Sequence, residues 1–237
     1  MALIINIETA TRICSVALVS DGKILGLRES DEEKSHASQL TVFIEDLLRE
    51  HYIQAHDLDA VAVSKGPGSY TGLRIGVSTA KGIVYATGKK LISIGTLASL
   101  AEGAMRHQAV KDILKERERV LLCPMLDARR MEVYTALFRP DGAILEQVIA
   151  KIVDQHTFDS YLSVHNIVFF GNGSAKCRDM ITHPGAIFLD GIECSAGFMT
   201  NLSEKAYQEK KFENVAYFEP SYLKDFIATI PKRKVIK

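Results

Sequence analysis

The sequence predicts an α/β chain of two related units, each a mixed sheet with flanking helices. Three observations predict it. First, residues 3–7 read as a short central strand, the polar Glu8-Thr9-Ala10-Thr11 follows, and a strand over 13–19 turns at Asp21-Gly22 into a return strand over 23–28. Asp-Gly between two such runs is a strong hairpin signal. Second, the order returns later: strand 121–125, the acid-bearing loop Asp127-Ala128-Arg129-Arg130, strand 132–138, the turn Pro140-Asp141-Gly142, and strand 143–148. Third, Leu40, Phe43, Ile44, Leu47 and Leu48 form a 3.6-residue stripe between the first hairpin and the apolar run 58–64. A helix there acts as a crossover and makes 58–64 a parallel strand. Units of 1–110 and 111–237 follow, the repeat being one of element order rather than of residues.

The remaining elements fall between these landmarks. Residues 31–34 are solvated, and Ser35 or Ser38 is placed to cap the first helix. The glycine run Lys65-Gly66-Pro67-Gly68-Ser69-Tyr70-Thr71-Gly72-Leu73-Arg74-Ile75-Gly76 leads into a helix reaching about residue 86. A strand at 91–94 and a helix over 97–105 come next, and the charged stretch 108–119 reads as a boundary helix or linker. In the second half a strand at 167–170 runs into Gly171-Asn172-Gly173-Ser174, another strand covers 186–189, and 194–208 has helical composition. Residues 218–223 mix aromatics with a proline, as a tail pinned to the body would. The basic end Pro231-Lys232-Arg233-Lys234-Val235 resembles a nuclear targeting string, but charge runs of this kind are more often solvated tails, and it is read as one.

Composition narrows the function classes. The 237 residues are 47% hydrophobic and 24% charged with zero formal net charge, so no global field draws nucleic acid or anionic membrane. Cys14, Cys123, Cys177 and Cys194 show neither disulfide nor zinc spacing. With no signal peptide and no apolar run near 18 residues, a cytoplasmic protein that does not enter the membrane is expected.

The glycine run organises the chemistry. It is no P-loop, and its Gly-x-Gly-x-x-x-Gly spacing, with no Asp or Glu from Leu73 to Ala101, is no dinucleotide fingerprint. In the following helix Gly72, Gly76 and Ala80 recur every four residues, with Leu73, Val77 and Val84 as an apolar edge. Helical glycine costs about 1 kcal/mol relative to alanine, so the repeat points to close approach by another helix, of this chain or of a partner. Tyr70 and Arg74 are placed to contact a partner chain or an RNA phosphate. Glu8 and Asp127, at matching positions in the two units, either hold Mg²⁺ through water and polarise an attacking water or cap the turns after them. Gly171 and Gly173 either approach a base or ribose or turn the chain. The seven histidines never form His-x-x-x-His, and no Gly-x-Ser-x-Gly elbow surrounds a serine.

The segments Ile7-Glu8-Thr9-Ala10-Thr11, Cys14-Ser15-Val16-Ala17-Leu18, the glycine run, and Asp127-Ala128-Arg129 with Glu132-Val133-Tyr134 together resemble the TsaB family, also called YeaZ. The resemblance is strong over residues 1–138 and looser beyond. It implies the actin-like/Hsp70-like/sugar-kinase (ribonuclease H-like) fold, with the last helix of the second unit able to pack back on the first. It also implies a non-catalytic scaffold or activator of tRNA threonylcarbamoylation, the transfer from threonylcarbamoyl-adenylate to N6 of the adenosine 3′ of the anticodon in tRNAs reading ANN codons. The implied partners are a catalytic TsaD-like paralogue, a TsaE-like ATPase, a second copy in isolation, and tRNA through the complex. The family's interface helices match residues 38–49 and 72–86, which assigns Leu40, Phe43, Ile44, Leu47, Tyr70, Gly72, Leu73, Arg74, Gly76, Val77 and Ala80 to docking. Catalytic paralogues carry a His-x-x-x-His metal pair where this chain has residues 96–104 without histidine. Glu8 stands where the family's first loop usually begins with Asp, and Ala128-Arg129 replaces phosphate-loop glycines. Glu8, Thr9, Asp127, Ala128, Gly171 and Gly173 are thus expected to form a residual nucleotide cleft. No metal site or cofactor is expected to be required; ATP or ADP with Mg²⁺ would bind weakly, mainly in the assembled complex. The alternative is a weak ATPase or small-molecule kinase using Glu8 and Asp127.

Overall fold

The computed structural model describes residues 2–32 and 36–224, so Ser35 and the basic end at 231–235 lie outside the described residues. Its frame is a pair of five-stranded mixed sheets with the same plan. In the first, β1 (Leu3–Glu8), β2 (Cys14–Ser20), β3 (Lys23–Ser30), β4 (Ala60–Gly66) and β5 (Lys90–Gly95) lie in the order β3-β2-β1-β4-β5. The second sheet comprises β6 (Val120–Asp127), β7 (Glu132–Phe138), β8 (Ile144–Ile152), β9 (Asn166–Phe170) and β10 (Ala186–Phe188), ordered β10-β9-β6-β7-β8. In each, the opening strand sits centrally, antiparallel to its hairpin partner and parallel to a later strand: Ile7 faces Val16 and Val63, and Leu122 faces Phe138 and Val168. Asp21 and Gly22, at φ 50° and 71°, make the first hairpin's turn.

The helices are α1 (His36–Glu50), α2 (Tyr70–Thr87), α3 (Thr96–Ala104), α4 (Gln108–Glu116), the single turn α5 (Asp159–Leu162) and α6 (Thr200–Gln208). One face of the first sheet packs Ile5, Ile7, Val16, Leu18, Val61 and Val63 against Leu40 and Leu47 of α1 and Val77 and Val84 of α2. Its other face, with Ile4, Ala60, Ala62, Ile92 and Ile94, is covered by Met199 from a 3₁₀ turn at Ala196–Met199 and by Leu202 and Ala206 of α6. The helical composition at 194–208 is therefore realised as a 3₁₀ turn followed by α6. Ala196 anchors the 3₁₀ turn: its carbonyl accepts from Asn6 Nδ2 at 3.3 Å and its N–H donates to Ser15 Oγ at 2.8 Å.

Helix α3 is apolar on most of its circumference, the signature of a helix packed on more than one side. Leu97, Leu100 and Ala104 join Leu122, Phe138, Val168 and Phe170 of the second sheet, while Gly103 lies against the Phe198 ring. The opposite face of that sheet packs Cys123, Ile167 and Phe169 on Phe158 and Leu162. All four cysteines are buried free thiols. Among the described residues no helix is long and apolar enough to cross a membrane.

Candidate functional site

Helices α1 and α2 lie side by side on the outer face of the first sheet. Their inward stripes are consumed by the core, with Leu40, Ile44, Leu47, Leu73, Val77 and Ala80 all buried. Between them, on the outside, runs an apolar groove of about 500 Å³. Thr41, Ile44, Leu48 and Ile53 form one wall, and Thr79 and Ile83 of α2 the other. Phe43 and Ile75 are partly buried beside the same core, Val42 is 48% exposed on α1, and Tyr85 is 87% exposed on α2. Gly82 sits mid-helix, and outside the helix's own backbone no described atom lies within 4 Å of where its Cβ would be, so nothing among the described residues demands glycine there.

The small face of α2 is turned the other way. A Cβ on Gly72 would overlap the Thr9 carbonyl oxygen, and one on Gly76 would overlap Thr9 Oγ1. This corrects the expectation that Gly72, Leu73, Gly76 and Ala80 offer a docking stripe to a partner: they let the helix backbone descend onto the end of β1. A close approach was legible from the spacing, but the neighbour is a strand-end loop of the same chain. Gly68 serves the same loop, since a Cβ there would overlap Ala10 O, which also accepts from Ser69 N at 2.6 Å. Ser69 caps α2, its Oγ accepting from Gly72 N at 3.2 Å.

Each expected nucleotide-cleft residue has an internal employment. Glu8 is fully buried; its Oε1 accepts from Ala10 N at 2.7 Å, and Oε2 has no partner within hydrogen-bond distance among the described residues. Burial pushes its carboxyl up to about 7, against the lowering influence of the Ala10 N–H and the Ser64 hydroxyl. Thr9 is buried beneath α2. Asp127 pairs with Lys176, which also donates to the carbonyls of Arg130 and, at 2.7 Å, Glu132. Asp127 Oδ1 further accepts from Arg129 N at 3.0 Å, and Arg129 and Arg130 hold left-handed φ of 71° and 50°. Gly171, at φ 93°, and Gly173 lie so close to the β6 backbone at Met125 and Leu126 that a Cβ would collide with it. These glycines fit the turn to the strand.

A strap over residues 213–224 then crosses from one unit to the other. Glu213 bridges to Leu91 at the edge of β5, and Lys81 donates to the Phe218 carbonyl at 3.1 Å. Ser221 N donates to Lys65 O at 2.7 Å, and the Tyr222 ring lies 4.8 Å from the Tyr70 ring. Arg74 covers Tyr70 at 4.1 Å and donates from Nε to the Tyr222 hydroxyl at 3.2 Å. Beyond it, Lys224 pairs with Glu132 and donates to Ala128 O at 3.4 Å. Tyr70 and Arg74 thus hold the strap. Tyr222, Lys224 and Lys176 escaped the sequence reading because their partners lie tens of residues away; only the aromatic-proline composition of 218–223 pointed to a pinned segment.

A family model described as "TsaD: tRNA N6-adenosine threonylcarbamoyltransferase" matches residues 26–232. The TsaB protein of Haemophilus influenzae, a tRNA threonylcarbamoyladenosine biosynthesis protein, is 31% identical over 94% of this chain and 93% of its own length. The chain belongs to the TsaB (YeaZ) family. The Escherichia coli TsaB protein is 28% identical over 95% of this chain and 96% of its own. YeaZ from Pseudomonas aeruginosa, at 25% identity, superposes with a TM-score of 0.76 over 94% of this chain and 100% of its own. The two sheets and their flanking helices are those of the actin/Hsp70/sugar-kinase fold.

The sequence leads to the expectation of a weak Mg²⁺-nucleotide cleft, and the residues of this TsaB-family chain can be tested for fit. A Mg²⁺-nucleotide needs accessible anionic ligands and loops in which backbone N–H groups approach phosphate. Here one acid is sealed in the core, the other is neutralised by Lys176, and the glycines abut protein backbone. Among the described residues no group of three or more His, Cys, Asp or Glu is placed to hold a metal ion. As arranged, the donor set does not fit the group.

Proposed function

We propose that this TsaB-family chain is a non-catalytic subunit of the machinery that threonylcarbamoylates tRNA, docking onto the TsaD-like paralogue through the α1–α2 groove. Family membership supports the partner role; the open apolar groove beside an unfilled Gly82 is the observation that carries the surface. A partner helix laid there would bury Ile83 and Leu48 and approach α2 closely at Gly82. The TsaE-like ATPase and tRNA join through that complex, and no nucleotide chemistry is asked of this chain.

The test is Gly82→Leu. Because its Cβ position is open, the substitution should leave the fold intact and raise helix stability by up to about 1 kcal/mol. Calorimetric affinity for the TsaD-like protein should nevertheless fall at least tenfold, with a parallel loss in a tRNA modification assay. Undiminished affinity would overturn the surface. Loss of self-association alone, read by light scattering, would assign the groove to a second copy of this chain instead.

A further inference from the structure

Strands β6, β9 and β10 are parallel neighbours and therefore enter their sheet from one edge. Their lead-in segments lie side by side there, at the end of β6 opposite Asp127 and about 25 Å from it along the strand. Arg117 and Arg119 precede β6, His165 precedes β9, and His183 precedes β10. All four residues line one open recess of about 400 Å³, and no Asp or Glu lines it with them.

The donors are oriented by their neighbours. Arg117 Nη1 donates to Asn166 Oδ1 at 2.9 Å, and Asn166 Nδ2 donates to Glu118 O at 3.1 Å, which fixes the amide and steadies the guanidinium. Gly185 N donates to His183 Nδ1 at 3.0 Å, so in the neutral ring the proton sits on Nε2. His165 Nδ1 lies 3.3 Å from Tyr161 O and carries its proton toward it. Arg119 holds a left-handed φ of 51°. Neither arginine is in an ion pair among the described residues, although Glu116 and Glu118 are sequence neighbours. In a chain of zero net charge this is a concentrated set of N–H donors, three of them oriented by neighbours, with no ion pair to either arginine among the described residues.

We infer that the recess is a phosphate-binding site that seats a backbone phosphate of tRNA when the complex engages its substrate. The inference rests on the proposed role in tRNA modification. The guanidinium groups supply charge-assisted hydrogen bonds to the phosphate oxygens, and the His183 N–H adds a further donor. The contact reads no base, so it contributes affinity and orientation rather than sequence choice.

The full chain would be titrated with inorganic pyrophosphate while the His165 and His183 ring resonances are followed, and its complex with the TsaD-like protein would be titrated with an unmodified tRNA transcript. The variants are R117Q/R119Q, R119Q alone, which breaks no described side-chain contact, and the charge-matched control K111Q/K115Q on α4. Pyrophosphate should shift both histidines in wild type and not in R117Q/R119Q. That variant should bind tRNA five- to tenfold more weakly, with the log–log salt slope reduced by about two, R119Q should lose about half of each effect, and the control should change less than twofold. Equal losses in control and variant would overturn the site, and pyrophosphate binding without any tRNA effect would overturn its assignment to RNA. Affinity for the TsaD-like protein is measured separately without tRNA: its absence in wild type would refute the proposed function, whereas its presence alongside a null tRNA result refutes only the recess.

Discussion

At the scale of single residues, Glu8 couples the centre of the molecule to pH. Its carboxyl is raised from 4.5 to about 7 in the folded chain, so the native state holds a proton that the unfolded state releases. The resulting stability is fully present below pH 4.5, declines as pH rises from 4.5 through 7, and is gone above it. Glu8→Gln keeps an acceptor for Ala10 N and removes the ionisation. Chemical denaturation should show the variant gaining on wild type across that window, by about 3 kcal/mol at most at pH 8. Parallel pH profiles for the two proteins would refute the assignment. Two glycines of α2 make a matched contrast: Gly76→Leu should strip several kcal/mol from stability by colliding with Thr9, whereas Gly82→Leu should not. The sequence showed that both were glycines in a helix. It could not show which faced a loop and which faced open space, because that depends on how α2 is rotated on the sheet, and packing against β4, its neighbouring strands and α1 decides the rotation.

At the scale of elements, hairpins and helices with a single dominant pattern were legible. Asp21-Gly22 specified its turn, and the stripe from Leu40 to Leu48 specified α1 through local chemistry alone. The site was legible only in outline. Residues 38–49 and 72–86 fall on α1 and α2, and the groove between those helices is walled by Thr41, Leu48, Thr79 and Ile83, which lie beside the buried stripe. A sequence pattern reports which face goes into the core; the edge left over is defined by the neighbouring helix. The strap over 213–224 was hardest to read, since hydrogen bonds such as Ser221 N to Lys65 O leave no periodic trace. Tyr222→Ala removes the ring contact with Tyr70 and the acceptor for Arg74 Nε, a loss of about 1 kcal/mol confined to the strap. Hydrogen exchange should accelerate at the Ser221 amide by roughly fivefold, with the midpoint of thermal unfolding moving by less than about 3 °C. Unaltered exchange there would mean that Lys224 and Phe218 hold the strap without the tyrosine.

At the scale of the whole molecule, the duplicated sheet order was readable because each unit opens with the same strand, acid-bearing loop and hairpin. The return of the chain's last third onto the first sheet is a relation between distant segments. The 3₁₀ turn and α6 cover Ile4, Ile92 and Ile94 and answer Asn6 and Ser15 with the Ala196 backbone. A fragment ending at residue 110 should therefore show no cooperative thermal transition and should bind a hydrophobic dye; a sharp calorimetric peak would contradict this. During biosynthesis the same relation becomes a delay. Asn6 leaves the ribosome 190 residues ahead of the Ala196 carbonyl that completes it. At typical elongation rates the apolar underside of the first sheet waits roughly 10 to 40 s for its cover. The nascent chain carries uncovered, aggregation-prone apolar surface throughout that interval, and slower translation lengthens its exposure.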